Sequence, residues 1–341
     1  MAVFIPLLVV LALGGAAFYG AQAGYQQVFG VLIPYVAVAI FVLGFIVKVL
    51  GWAKSPVPFC IPTTGGQQKS LDWIKATNPI DNPPNAGWTV VRMIFEVALF
   101  RSLFRNSQVA IHDGPRVTYS SSKWLWGFAL LFHYAFLTIF IRHFRLFLEP
   151  VPLVIQGLEF FDGLFQVGVP RMYQTDILIV VAVSFLLLRR IFDDRVRYIS
   201  LASDYFPLFL ILGIVLSGIW MRYFGKTDIA AVKVMTMGLV SFKPILVEGI
   251  SGFFYMHLFL VCTFLIYFPF SKLMHLGGVF LSPTRNLPND SRVRHYENPW
   301  NPPKKYHTYE MYEDDFRAPM IEAGLPVDKM PEDAETSEEK E

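Results

Sequence analysis

Apolar runs on the scale of a bilayer core recur along this chain, with polar stretches between them. One crossing of the core by a helix takes roughly 20 apolar residues. Runs of about that order occupy 3–18, 31–50, 124–148, 177–188 (extended back through 173–176), 205–223 and 253–275. This pattern predicts an all-α membrane protein with six transmembrane helices. The first run has no basic flank and no clear small-residue cleavage site, so it reads as an uncleaved span rather than a signal peptide. Lys48 is placed to snorkel at the end of the second run. Residues 149–172 and 224–250 read as loops.

Two polar stretches interrupt the pattern. The insert 51–123 opens on a Pro/Gly-rich segment, SPVPFCIPTTGGQQ, and turns helical at VVRMIFEVALFRSLFR. There Arg92, Glu96, Arg101 and Arg105 alternate with Ile94, Phe95, Leu99, Leu103 and Phe104. That fits an amphipathic helix lying on the membrane or on a partner, or equally one packed on its own insert. The tail 276–341 is rich in Pro, Tyr, Trp and Asn and has too little aliphatic content for a core of its own. It is expected to dock on a partner subunit, with an acidic disordered end, PEDAETSEEKE. The chain thus divides into 1–50, two spans; 51–123, a cytoplasmic insert; 124–275, a four-helix portion; and 276–341, the tail.

Composition agrees with the pattern: 54% of the 341 residues are hydrophobic and 16% charged, against about 25% charged in soluble domains. Lys and Arg are absent between the first two spans. The insert has eight, the next connections two, four and four, and the tail eight. By the positive-inside rule the insert and both termini are cytoplasmic, in the inner (cytoplasmic) membrane. A net charge of +2 gives no reason to expect nucleic acid. The two cysteines, Cys60 in a polar loop and Cys262 mid-span, are unsuited to a disulfide. No Cys-x-x-Cys-His or cysteine cluster is present, so any iron–sulfur centre belongs to another subunit.

The chemistry lies in four histidines. His133 and His143 fall in the third long run, His257 and His275 in the last. An intramembrane histidine is costly and a functional candidate by default. Two on each of two antiparallel spans suggest two bis-imidazole haems, His133 with His275 and His143 with His257. Ten residues of helix rise about 15 Å and eighteen about 27 Å, a mismatch of about 12 Å that slanted haems and a bend at Pro269 would have to absorb. His112, His295 and His307 lie in polar segments and read as surface or interface residues. Arg142 and Arg145 are candidates for holding haem propionates, and Lys272 for the same or for snorkelling. Glu248, Lys243 and Asp162 are candidates for receiving or relaying protons. Each of these charges also has the plain reading of an interface anchor. A transporter, or a cofactor-free membrane anchor subunit, is the alternative class, though no paired broken helices of the transporter kind are evident.

The spacings His-x9-His and, on a later span, His-x17-His resemble those of the respiratory nitrate reductase gamma subunit, a five-span di-haem cytochrome b that oxidises quinol. The extra N-terminal span, the insert and the aromatic tail look closer to the DsrM family, membrane subunits of a sulfite-reduction-linked complex. The resemblance covers roughly 30–280. It implies two haems b held by His133, His143, His257 and His275, with menaquinol as substrate. It also implies a cytosolic iron–sulfur partner resembling heterodisulfide reductase, a periplasmic multihaem cytochrome c and other membrane subunits. In the family quinol is oxidised near the outer haem, here His143 and His257, and electrons travel inward to His133 and His275.

Overall fold

A computed structural model describes residues 2–55, 78–114, 116–288 and 306–330. Cys60, His295, most of the Pro/Gly-rich segment and the acidic end lie outside the described residues.

Among the described residues, five helices are long and apolar enough to cross a membrane. They are α1 (Phe4–Gln22), α2 (Ile33–Ala53, entered through a π-turn at Val28–Leu32), α5, α9 and α11, the last three introduced below. The outward faces of α1 and α2 expose Leu8, Leu11, Val38, Leu43 and Val47, a surface that suits lipid and not water. The six-span expectation turns on a further helix, α7, which matches the others in length but carries three charges.

The insert folds as α3 (Ala86–Leu99), α4 (Arg101–Phe104) and an antiparallel hairpin, β1 (Ser107–His112) and β2 (Arg116–Ser121). The hairpin corrects the all-helical expectation. The Asn85 side chain accepts the Trp88 N–H at 3.0 Å and starts α3. Phe100, in the left-handed region at φ 50°, ends it and turns the chain into α4. Arg92 and Glu96 are buried against the insert itself: Arg92 donates to the Asp81 carbonyl at 2.9 Å, and Glu96 accepts from the Ser102 hydroxyl at 2.6 Å. Of the two readings of this helix, these contacts match packing on its own insert. Arg101 and Arg105 converge on the Asp81 carboxylate. The Arg101 bond, above all, holds Asp81 below the usual carboxylate range. Its stabilisation is therefore complete above the unfolded value of about 3.9 and is lost as pH falls through the lower folded value. Protection of the α3 and α4 amides, corrected for the intrinsic pH dependence of exchange, is accordingly expected to be flat from neutral pH down to about pH 4 and to fall only below it. Loosening that begins at pH 6 would show that this clasp is not what holds them.

The helices α5 (Lys123–His143), α6 (Leu153–Gly163), α7 (Gln174–Phe192), α8 (Asp194–Ile199), α9 (Ala202–Ile219), α10 (Ile229–Val240) and α11 (Gly252–Tyr267) follow. The expected loops 149–172 and 224–250 thus each contain a helix. In α6 the apolar side chains Leu153, Val154, Phe160 and Phe161 are exposed, as for a helix lying in a membrane surface. Asp228 caps α10 by accepting the Ala230 N–H at 2.9 Å. α11 packs on α1, α2 and α9, and α7 packs between α5 and α9. The core joins Val10, Leu187, Tyr205, Phe209, Leu210 and Leu260, with a second cluster around Met235, Phe254 and Tyr255.

The last span is not one helix through His275. It breaks after Tyr267 into 3₁₀ turns at Phe268–Phe270 and Lys272–Met274, with Ser271 extended between them. Short helices α12 (His275–Gly278) and α13 (Pro283–Asn286) follow. Pro269 cannot donate the backbone bond a continuing helix needs. Its ring packs so closely on α2 that a Cβ at Gly44 would come within 2.8 Å of it. Of the expected tail, 276–290 belongs with the membrane portion, and the part from Ser291 onward forms a separate compact unit containing α14 (Tyr309–Glu322). Within it the Glu313 carboxylate accepts the Asp328 and Lys329 N–H groups, both at 2.9 Å.

Candidate functional site

α5 carries His133 and His143, α11 carries His257 and α12 begins at His275, yet α5 and α11 share little close backbone contact; each is held by its other neighbours. They meet through rings. Midway, Phe136 and Phe264 stand 6.1 Å apart, centre to centre. Toward the insert, His133 and His275 are 6.0 Å apart with planes at 81°. Toward α6, His143 and His257 are 6.4 Å apart with planes at 13°. His133 and His257 are half-buried, and His143 and His275 are exposed.

The break after Tyr267 makes both pairs possible. A continuous helix would carry His275 about 27 Å from His257, against about 15 Å between His133 and His143. The broken segment around Ser271 instead sets His275 beside His133. The expectation that eighteen residues of helix separate His257 from His275 is corrected accordingly.

The hydrogen bonds fix the ring chemistry. Nδ1 of His133 lies 2.7 Å from the Ala129 carbonyl, that of His143 2.7 Å from Ile139, and that of His275 2.9 Å from Lys272. His257 Nδ1 lies 3.0 Å from the Ile214 carbonyl and 3.0 Å from the Ser217 hydroxyl. A carbonyl only accepts, so each Nδ1 carries the proton and each Nε2 presents a lone pair. No Nε2 has a hydrogen-bond partner among the described residues. Two acceptors cannot bond each other; a metal ion satisfies both. A metal–imidazole bond is about 2 Å and the ring centre lies about 1 Å behind the nitrogen, so two imidazoles that shared one ion would have ring centres no more than about 6 Å apart. Both pairs fit this, as does the tautomer, since metal-binding histidines characteristically donate their second nitrogen to a fixed acceptor. Among the described residues no group of three or more His, Cys, Asp or Glu converges as for an all-protein metal site.

Neighbouring elements hold the rings. Phe100, at the α3–α4 corner, puts its ring edge-on to His133 at 4.9 Å. The same corner is tied to α5 by the Trp126 indole on the Leu99 carbonyl (2.7 Å) and the Tyr134 hydroxyl on the Ala98 carbonyl (3.0 Å). Lys272, whose carbonyl receives His275, reaches Asp204 of α9 at 2.7 Å. Its ammonium remains mostly exposed, with donors to spare.

At the α6 end a buried charge cluster adjoins His143. The Arg142 guanidinium is bonded to Asp162 and lies 3.4 Å from Asp176 and 3.2 Å from the Thr175 hydroxyl. Arg142, Asp162 and Asp176 are all buried. Tyr173 lies between two guanidiniums, 4.1 Å from Arg142 and 4.4 Å from Arg222. The Tyr223 hydroxyl donates to Asp176 at 2.6 Å. Arg142 is therefore committed to carboxylates of its own chain, and Asp162 has no free face toward a quinol. Arg145, partly exposed, bonds Glu159. Lys243 and Glu248 are exposed in the stretch between α10 and α11, apart from this cluster. Sequence reasoning missed Glu159 and Tyr173. Both line a cavity of about 420 Å³ along α6 with Gln156, Phe160, Leu164 and Gln166. The available signal was an odd carboxylate amid the apolar text of 153–165.

These features define a membrane protein built around paired imidazoles on antiparallel helices. Residues 91–290 match the family model described as nitrate reductase gamma subunit, and the chain belongs to that family, in its DsrM-type branch. It is 47% identical over 281 residues to the Hdr-like menaquinol oxidoreductase cytochrome b-like subunit of Archaeoglobus fulgidus, covering 81% of this chain and 84% of the relative. The protein of the same description from Archaeoglobus profundus is 44% identical over 276 residues, covering 79% and 82%.

Proposed function

We propose that this chain is a di-haem cytochrome b that oxidises menaquinol and delivers its electrons to a cytosolic iron–sulfur partner, within a sulfite-reduction-linked respiratory complex. The observation that carries the reading is the pair of ring contacts at 6.0 and 6.4 Å, with all four Nδ1 atoms on fixed acceptors. The relatives' printed names support the quinol, the b-type cytochrome and a multi-subunit setting.

In this reading α7 spans, completing six crossings. Its Asp176 is neutralised by Arg142 and Tyr223 at one end, and Arg189 and Arg190 sit at the other. The insert and both termini are cytoplasmic, so His133 and His275 face inward and His143 and His257 outward. Haem b supplies a one-electron carrier at each pair. The protein fixes the rings through their Nδ1 bonds and packs Phe100 and Phe132 against His133. Lys272 and Arg145 are placed to meet propionates, while Arg142 holds the helix corner. The quinol headgroup is assigned to the cavity along α6: its size suits a small ligand, Phe160 and Leu164 open it toward lipid, and Glu159 offers a proton acceptor already gripped by the Tyr173 hydroxyl at 3.1 Å. The iron–sulfur partner, a periplasmic multihaem cytochrome c and further membrane subunits complete the assembly.

The test is a reduced-minus-oxidised spectrum of the purified protein with pyridine haemochrome quantification. Two haems b per chain, reduced by a menaquinol analogue, are expected. A preparation without haem would overturn the reading.

A further inference from the structure

Three of the four histidines anchor Nδ1 on a carbonyl three or four residues earlier in the chain: Ala129, Ile139 and Lys272. Such a ring follows its own backbone. His257 differs. Its acceptors come from another helix, α9: the Ile214 carbonyl and the Ser217 hydroxyl, each at 3.0 Å. Ser217 is buried at 4% exposure, and its own hydroxyl proton goes to the Ile214 carbonyl at 2.9 Å, so its oxygen is free to accept. The next residue, Gly218, leaves room for the ring; a Cβ there would come within 3.2 Å of His257 Cε1. Ser217 and Gly218 together form a seat on α9 shaped for one imidazole.

We infer that Ser217 is a positioning residue that fixes the ring of His257 from α9 and sets the reduction potential of the site at the His143–His257 pair, independently of the other pair. The inference rests on the haem reading above. A hydrogen bond accepted from Nδ1–H draws electron density into the ring and makes Nε2 a stronger donor, favouring the oxidised metal. Removing the Ser217 oxygen leaves only Ile214, whose carbonyl also serves the helix. The ring then donates less, and the potential of that one site rises. Among the described residues no equivalent side chain reaches Nδ1 of His133, His143 or His275, so the other site is insulated from the change.

The experiment is a redox titration of the intact purified protein, followed at the haem absorption bands, for wild type, Ser217→Ala and Ser217→Thr, with haem counted in each. Ser217→Ala is expected to raise one midpoint and leave the other in place, while Ser217→Thr, which keeps the oxygen, stays near wild type. Ferric electron paramagnetic resonance identifies the affected site, because the near-parallel rings of His143 and His257 give a more rhombic low-spin signal than the near-perpendicular rings of His133 and His275. Loss of one haem in Ser217→Ala but not in Ser217→Thr would equally support positioning. Unchanged midpoints, a shift of both, or a shift of the His133–His275 signal would overturn the inference while leaving the di-haem reading intact. Wild-type protein with no haem would instead remove the reading on which it rests.

Discussion

Arg142→Ala is expected to cost about 3–5 kcal/mol and to unfold the corner where α5, α6 and α7 meet, because removing one partner of a buried ion pair leaves an uncompensated charge. Here the loss is doubled. The Arg142, Asp162 and Asp176 side chains are only 7%, 2% and 10% exposed, so both carboxylates would stay in a poorly solvated site facing one another. Tyr173 would also lose one of its two guanidinium contacts. Arg142→Lys keeps the charge but offers a point where a fork is needed, and should fall between. Neutralising one carboxylate at the same time, as Arg142→Met with Asp162→Asn, should recover part of the loss. Thermal unfolding of the detergent-purified protein, followed by tryptophan fluorescence, measures all three. If Arg142→Ala melts with the wild type, the cluster is not a structural clasp, and a functional role for Arg142 is reopened.

The same cluster shows where sequence reading stops. Arg142 was legible as an intramembrane cation, and cations near haems suggest propionates. Its partners lie 20 and 34 residues away, on a helix hidden in an expected loop and at the start of α7. Nothing in residues 149–172 carries a long apolar period, so α6 was invisible until its polar side, Glu159 and Asp162, was seen to face the bundle while Phe160 and Phe161 face out. α10 had a fair signal, an Asp cap before twelve mostly apolar residues, but it is too short to read as a span. The hairpin had none of the Asn-Gly or Asp-Gly kind beyond Asp113-Gly114 in a polar stretch. The apolar spans were legible because membrane insertion is itself a sequence-level property: each run must satisfy its backbone alone. The antiparallel order of the histidines followed from counting crossings. The apparent 12 Å misfit between their spacings marked the place where the last span breaks, and Pro269 was its visible cause. What could not be read was the break at Ser271, whose extended backbone separates the two 3₁₀ turns and whose hydroxyl accepts the Leu273 N–H at 3.2 Å.

Pairwise removal of histidines is expected to give the most direct result. If the ring pairs are the ligand pairs, His143→Ala and His257→Ala each remove the same haem, and the double variant retains one haem per chain. The same holds for His133→Ala with His275→Ala. Crossed doubles behave differently: His133→Ala with His143→Ala, both on α5, removes both haems, as does His257→Ala on α11 with His275→Ala on α12. Pyridine haemochrome counts of two, one and zero per chain distinguish these cases without an activity assay. The physical basis is that one imidazole cannot replace the trans ligand of another site about 15 Å along the same helix. Methionine at His257 offers a control, since a thioether can still bind haem iron and raises the potential in place of losing the group. A single haem in the crossed α5 variant would show that the ligand pairs run otherwise than the ring contacts, and that the break at Pro269 brings His275 to His133 for packing alone. Zero haem in the His143→Ala with His257→Ala variant, with the protein still folded by circular dichroism, would show that the two sites fill only together. That would transfer the weight of the architecture from two independent ligand pairs to a single cooperative core between α5 and α11.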